Sequence, residues 1–326
     1  MLPTVQSGSD LLPIPTGHDF FIFLYCMVTC FIINWGLRIL VIEPFAKRVL
    51  PTVTKKKVEK YAQAALEMAF YTAFFFFGYR VYYPQTWVWP SSQWWDGFDK
   101  GDTYLIDPDY KFFYILYAGR YAAAFVSVLM EHKRSGELYV GESSFTSYSI
   151  ALILTRRFAP RTDFIEMQVH HMVTVILVLA SYSSSYNRVG GAVMFLLDCA
   201  DPPLHIAKQF KYCSVKKTDK AQFWADRWFE IFAVSFIVSR NIIYPYCCWS
   251  ALIESKRYFE HRLDTRICNG LLQILLVLQF YWTSLIFIAV YKQMKNGGIE
   301  DIRSDSEDEE EEGTKKIARK KKGKKD

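Results

Sequence analysis

Residues Leu271 to Tyr291 read LLQILLVLQFYWTSLIFIAVY, 21 residues without an Asp, Glu, Lys, Arg or His. At 1.5 Å per residue a helix of that length reaches about 30 Å, the thickness of a bilayer's hydrocarbon core. Working outward, six more segments carry a similar pattern: Phe20–Ile42, Tyr61–Tyr83, Tyr110–Met130, Glu166–Ser181, Val189–Ala207 and Phe223–Tyr246. The fourth and fifth in chain order, Glu166–Ser181 and Val189–Ala207, are the least apolar of the seven, which suits helices around a polar interior rather than against lipid. Tyr148–Leu154 is apolar but too short to span, and is read as interfacial or re-entrant. The 326-residue chain is 51% hydrophobic and holds 26 Phe, 21 Tyr and 9 Trp, which excludes a disordered protein. Seven Cys in so long a chain exclude a disulfide-rich secreted module. The sequence predicts an all-α polytopic membrane protein with about seven transmembrane helices.

Basic residues give the expected orientation. The first, third and fifth loops and the tail from Lys292 together hold 27 Lys and Arg, against 6 in the N-terminal segment and the other loops. The N-terminus is therefore expected to be lumenal or extracellular and the C-terminus cytosolic, although Lys256, Arg257, Arg262 and Arg266 in the sixth loop fall on the sparse side. Residues 1–19 lack the basic and apolar regions of a signal peptide, so the first helix is expected to be an uncleaved anchor. Trp87, Trp89, Trp94 and Trp95 crowd the second loop, where an aromatic belt at the lumenal interface is expected. Cys247, Cys248 and Cys268 flank the sixth loop, where a disulfide is chemically allowed. The acidic and Lys-rich tail reads as solvated low-complexity sequence, with Ser304 and Ser306 as phosphorylation candidates because acids follow them. Lys322 and Lys324 stand fifth and third from the end, a pattern similar to dilysine retrieval signals of the endoplasmic reticulum.

Ionisable groups at membrane depth are the main pointer to function. On a helix Glu166, His170 and Thr174 recur every four residues as one stripe, with His171 about 100° away. Asp198 and Asp201 share a face of the next segment, and the short intervening loop makes the two segments antiparallel neighbours. Pro202 and Pro203 then predict a kink or break, with Asp201 as an N-cap. Imidazoles and carboxylates are thus expected to meet in the cytosolic half of the bilayer. Four readings fit: a His–Asp pair that locks helices, a metal or haem site, a proton relay in a transporter, and acid–base or nucleophilic catalysis on a lipid. Six His are too few for a histidine-box oxidase, and no Gly-x-Ser-x-Gly elbow supports a serine hydrolase.

The run Phe164-Ile-Glu166-Met-Gln-Val-His170-His171-Met-Val-Thr174, followed by Ser181, Asn187, Gly190, Asp198, Asp201 and Lys208, resembles the Lag motif of ceramide synthases. The likeness extends over a TLC-type domain at residues 57–293 and is densest at 164–212, with residues 1–56 before it and a tail at 294–326 after it. Phe229, Phe232, Phe236, Arg240 and Pro245 in the sixth span, and the run Asp301 to Glu307, look family-like as well. The resemblance implies six helices, spans two to seven, around a long cavity with the first span outside. It implies transfer of a fatty acyl group from acyl-CoA to the amine of a sphingoid base, giving ceramide or dihydroceramide. His170, His171, Asp198 and Asp201 would be catalytic, and Glu166, Thr174, Asn187 and Arg240 would line the substrate cavity. No cofactor is implied, acyl-CoA being a co-substrate. Expected partners are fatty acyl-CoA, a sphingoid base, membrane lipid, and a homo- or heterodimer mate or small accessory subunit, with no nucleic acid. The implied location is the endoplasmic-reticulum membrane. The alternative within the same fold is a non-catalytic lipid sensor or translocation-associated protein. Two departures stand out: Pro202-Pro203, and an apparent insertion around Gly136–Ala159.

Overall fold

Ten α-helices and one short β ladder are found among the described residues (11–98, 100–137, 164–216 and 218–296) of the computed structural model. The helices are α1 (Gly17–Leu37), α2 (Glu43–Val49), α3 (Lys55–Tyr82), α4 (Pro108–Glu137), α5 (Phe164–Ser183), α6 (Asn187–Asp198), α7 (Asp201–Cys213), α8 (Lys220–Phe236), α9 (Tyr244–Leu252) and α10 (Leu263–Asn296). Wider π-type turns at Arg38–Ile42 and Ile237–Ile243 carry α1 into α2 and α8 into α9 without a break. The expected Tyr148–Leu154 segment, most of the insertion, and Ser304 and Ser306 lie outside the described residues.

Among the described residues, five stretches are long and apolar enough to cross a membrane: Gly17–Val49, Pro108–Met130, Ile165–Ser183, Lys220–Arg257 and Leu263–Lys295. Two of the seven expected spans are not among them. The second belongs to α3, whose 28 residues suffice for about 42 Å, but Gln63 and Glu67 face an interior cavity and lower its hydropathy. The fifth, Val189–Ala207, is not one helix. It breaks at Cys199–Ala200 into α6 and α7, of 12 and 13 residues, each too short to span alone. Ala200 is the N-cap of α7, so Asp201 sits inside its first turn with Pro202 and Pro203, where a proline's missing N–H costs nothing.

One face of α4 organises the core. Tyr110, Tyr114, Tyr117 and Tyr121 recur at spacings of 4, 3 and 4, all buried, and each phenol that enters the interior finds a partner. Tyr110 donates to the Asn187 carbonyl at 2.5 Å, Tyr114 shares a proton with Ser181 Oγ at 2.6 Å, and Tyr117 donates to Asp198 Oδ1 at 3.1 Å. Buried hydroxyls would otherwise be costly. α6 accommodates this row because it carries Gly190 and Gly191, where a Cβ would collide with the hydroxyls of Tyr114 and Tyr110.

α1 packs on the outside of α4. Gly119 permits the approach, since a Cβ there would lie 2.8 Å from Cys26 Cβ and 2.9 Å from the Met27 amide. At the end of this seam Asp19 Oδ1 pairs with Lys111 Nζ at 2.9 Å, and Asp19 Oδ2 accepts from Tyr182 at 2.7 Å. The opposite face of α1 exposes Phe20, Phe21, Tyr25, Val28 and Ile32, a surface made for lipid.

The second loop is a folded cap and not an aromatic belt. Trp94 and Trp95 are buried, their indole N–H groups donating to the Val88 carbonyl (3.0 Å) and Ser250 Oγ (2.9 Å). Trp87 packs on Tyr82 and Tyr110, leaving Trp89 as the largely exposed one. Ser91 donates to Glu254 at 2.6 Å, Arg188 donates to the Gln93 and Asp96 carbonyls, and Leu12 pairs with Ile106. The start of α1, the second loop, the start of α6 and the α9–α10 connection therefore share one end of the bundle. At the other end Ala46, Leu50, Val58 and Tyr61 pack with Tyr212 and Cys213, and Asp219 caps α8. Backbone N–H groups of Gln222, Val215 and Lys216 hold the Asp219 carboxyl well below the usual carboxylate range. Cys247, Cys248 and Cys268 are buried thiols, not joined by a disulfide.

Candidate active site

A cavity of about 390 Å³ runs through the helices. Lys60, Gln63, Glu67, Lys208 and Lys211 lie at the end near the α2–α3 and α7–α8 connections. Val189, Val193, Ala251, Cys268 and Leu272 lie toward the capped end. Between them is a polar waist that contains His170, His171, Thr174, Tyr117, Tyr121, Asp201, Arg240 and Gln279. One end is thus rich in lysine and the other mostly apolar, with Ser181, Tyr186 and Asn269 in its wall, and the chemistry-bearing groups sit between.

Both histidines reach the wall, although adjacent helical residues diverge by about 100°. The cavity embraces a wide arc of α5, and the two rings lie 5.5 Å apart between centroids. Tyr121 packs against both, at 6.2 and 5.8 Å, and Trp282 meets His170 edge-on at 5.1 Å. Nδ1 of each ring is buried without a hydrogen-bond partner among the described residues. Thr174, one turn beyond His170, also lines it, with a buried Oγ1 that no protein group engages.

The carboxylates do not touch the imidazoles. Asp198 is 1% exposed and lies behind Tyr117, outside the wall of the cavity. Asp201 lines the cavity but is held by Arg240, whose Nη2 stands 2.8 Å from both carboxylate oxygens. The break at Cys199 turns Asp201 toward α8, the helix that leads to Arg240. The same Nη2 donates to the Leu197 carbonyl at 2.7 Å in the last turn of α6, and Nη1 donates to Gln279 Oε1 at 3.3 Å. Arg240 therefore ties the broken ends of α6 and α7 to α10. This corrects the expected His–Asp contact.

Two of the four expected cavity residues are elsewhere. Glu166, in the first turn of α5, does not line the cavity. Asn187 is fully buried at the capped end, where its side chain donates to the Thr103 carbonyl at 2.7 Å and fixes the start of α6. Thr174 and Arg240 are on the wall.

Other residues at the waist, or behind its wall as Arg120 is, carry weaker signals in the sequence. Arg120 is buried in α4, paired with Glu67 at 3.5 Å and stacked 4.2 Å above Tyr71. An arginine in the middle of an apolar span was the available signal. Tyr117 and Tyr121 were signalled only by the spacing of the α4 tyrosines. Gln279 and Trp282 carry no ionisable group, and nothing in their local sequence separates them from packing residues.

The family model described as the TLC domain matches residues 60–288. The chain is 31% identical over 271 residues to Ceramide synthase 1 LOH3 of Arabidopsis thaliana, covering 80% of this chain and 78% of that relative. It is 27% identical over 314 residues to ASC1-like protein 1 of Oryza sativa subsp. japonica, covering 93% and 91%. Against the human Ceramide synthase 4 the identity is 28%, over 79% of this chain and 56% of the relative. With the match at residues 60–288 and a ceramide synthase alike over four-fifths of its length, the chain belongs to the ceramide synthase family of TLC-domain proteins.

Proposed function

We propose that the chain is a sphingosine N-acyltransferase that joins a fatty acyl group from acyl-CoA to the amine of a sphingoid base, forming ceramide or dihydroceramide. Its likeness to ceramide synthases along most of its length supports this. The structural observation that carries it is the graded cavity: lysines at one end for the phosphates of CoA, an apolar far end for the acyl chain, and two imidazoles at the boundary.

A long-chain amine is mostly ammonium near neutrality, so a group must take its proton, a task suited to imidazole. In the direct route the amine nitrogen attacks the thioester carbonyl, the C=O electrons move onto oxygen, and imidazole takes the N–H proton. Collapse re-forms the carbonyl, breaks the C–S bond and sends the proton to the CoA thiolate. In the two-step route imidazole nitrogen attacks the carbonyl carbon, the C–S bond breaks and CoA leaves as thiolate; the amine then adds, the acyl–imidazole bond breaks, and the amine's proton passes by way of imidazole to the thiolate. Either balance needs only the two substrates, and no cofactor is invoked. A non-catalytic lipid sensor of the same fold would have no use for two imidazoles at this boundary.

The proposal extends to placement. α3 and the broken α6–α7 pair complete seven crossings with the five apolar stretches, the capped end being lumenal and the lysine end cytosolic, in the endoplasmic reticulum. The grouping of alternate connections at opposite ends supports that alternation, and tags at the two termini should be protected from protease on opposite faces. Pairing with a second copy, another family member or a small accessory subunit rests on the resemblance alone, and so does phosphorylation of Ser304 and Ser306. Microsomes that express the chain, given sphinganine and acyl-CoA, should yield N-acylated product by mass spectrometry. Absence of product at good expression of membrane-inserted protein contradicts the reading.

A further inference from the structure

Two residues of the cavity wall carry buried N–H donors with no acceptor among the described residues. Gln279 is 0% exposed and lines the cavity. Its Oε1 is fixed toward Arg240 Nη1 at 3.3 Å, since a guanidinium can only donate, so the amide N–H groups must point the other way. Nε2 has no acceptor among the described residues. Trp282 is 9% exposed, lines the same cavity, and meets the His170 ring edge-on with centroids 5.1 Å apart. Its Nε1 likewise has no acceptor. The two residues are three apart on α10, so they share a face of one helix. Burying such an N–H without a partner is costly, and two adjacent instances beside an imidazole call for a ligand acceptor.

We propose that Gln279 Nε2 and Trp282 Nε1 form the oxyanion-stabilising donor pair for the thioester carbonyl, an inference that rests on the acyltransferase reading above. When amine or imidazole nitrogen adds to the carbonyl carbon, the former π pair becomes a full charge on oxygen. That charge must develop beside His170 and in surroundings largely free of water. Two preoriented N–H donors stabilise it without reorganisation, then relax when C=O re-forms and the C–S bond breaks. The assignment is the same for direct attack and for an acyl-imidazole, because both pass through this oxyanion. Both donors are neutral, so they add no net charge to a waist whose wall already holds Arg240 and Asp201. Arg240 acts on Gln279 only by orienting its amide.

Trp282→Phe keeps an aromatic ring against His170 and deletes the N–H, while Gln279→Met keeps the chain length and deletes the amide. Each purified variant should lose about 10²–10³-fold in kcat, the range for one oxyanion donor. Affinity for a thioether analogue of acyl-CoA, which has no carbonyl, should stay within about twofold of the wild type. Thermal unfolding is measured beside both, and Trp282→Tyr stands in if Trp282→Phe does not fold. Near wild-type kcat in a folded variant overturns the role of that residue. A loss that appears equally in thioether affinity overturns it too, because that would mark a packing role. Wild-type protein without N-acylation would instead defeat the parent reading, so the two failures are distinguishable.

Discussion

Asp201 and Arg240 are an exacting pair of residues, because each is nearly enclosed and each neutralises the other at 2.8 Å. Removing one partner of a buried pair leaves an uncompensated charge, at a cost of about 3–5 kcal/mol, whereas replacing both with apolar groups is often far milder. Arg240→Met should therefore lower the unfolding temperature in detergent sharply, and Arg240→Met with Asp201→Leu should recover much of it. A single variant as stable as the wild type would show that the pair does not hold α6, α7 and α10 together. The imidazoles and carboxylates were legible as a set, since ionisable groups in apolar runs are conspicuous. What each one touches was not legible. Asp198 belongs to Tyr117, 81 positions earlier, and Asp201 to Arg240, 39 positions later, and helical spacing within one segment carries no information about either.

Among the elements, α6 depends on glycine for a stated geometric reason. Gly191 lies under the Tyr110 hydroxyl and beside Tyr82, so a methyl group there must displace a phenol that is hydrogen-bonded and buried. Gly191→Ala should cost about 1–3 kcal/mol by overpacking, read as a lower midpoint of thermal unfolding; no change would mean that Tyr110 yields freely. The break between α6 and α7 was legible, because proline pairs interrupt helices by simple chemistry. α3 was visible as a helix, but its polar positions at Gln63 and Glu67 blur its standing as a span. The tryptophans of the second loop misled for a related reason. An indole suits a membrane interface and a folded cap equally well, and only the acceptors at Val88 and Ser250 distinguish them.

At the scale of the whole molecule, the cavity joins an end lined by lysines to a mostly apolar end, and its length sets what fits. From Trp282, beside His170, to Cys268 at the far end is 14 residues of α10, about 21 Å. Ala251 lines that far end, so Ala251→Leu should shorten the space and move the product spectrum toward shorter acyl chains in a competition among acyl-CoAs. An unchanged spectrum would place the end of the acyl chain elsewhere. The central claim is that the molecule is an acyltransferase that works through the histidine pair at the cavity's waist. Its most direct test is single turnover of the purified full-length chain in nanodiscs, with isotopically labelled acyl-CoA and sphinganine. Wild type, His170→Ala and His171→Ala are compared at matched folded content. Wild type should form labelled ceramide, and each variant should fall by about 10²–10⁴-fold, the range for loss of a general base. Labelled ceramide from both folded variants at near wild-type rates would contradict the account.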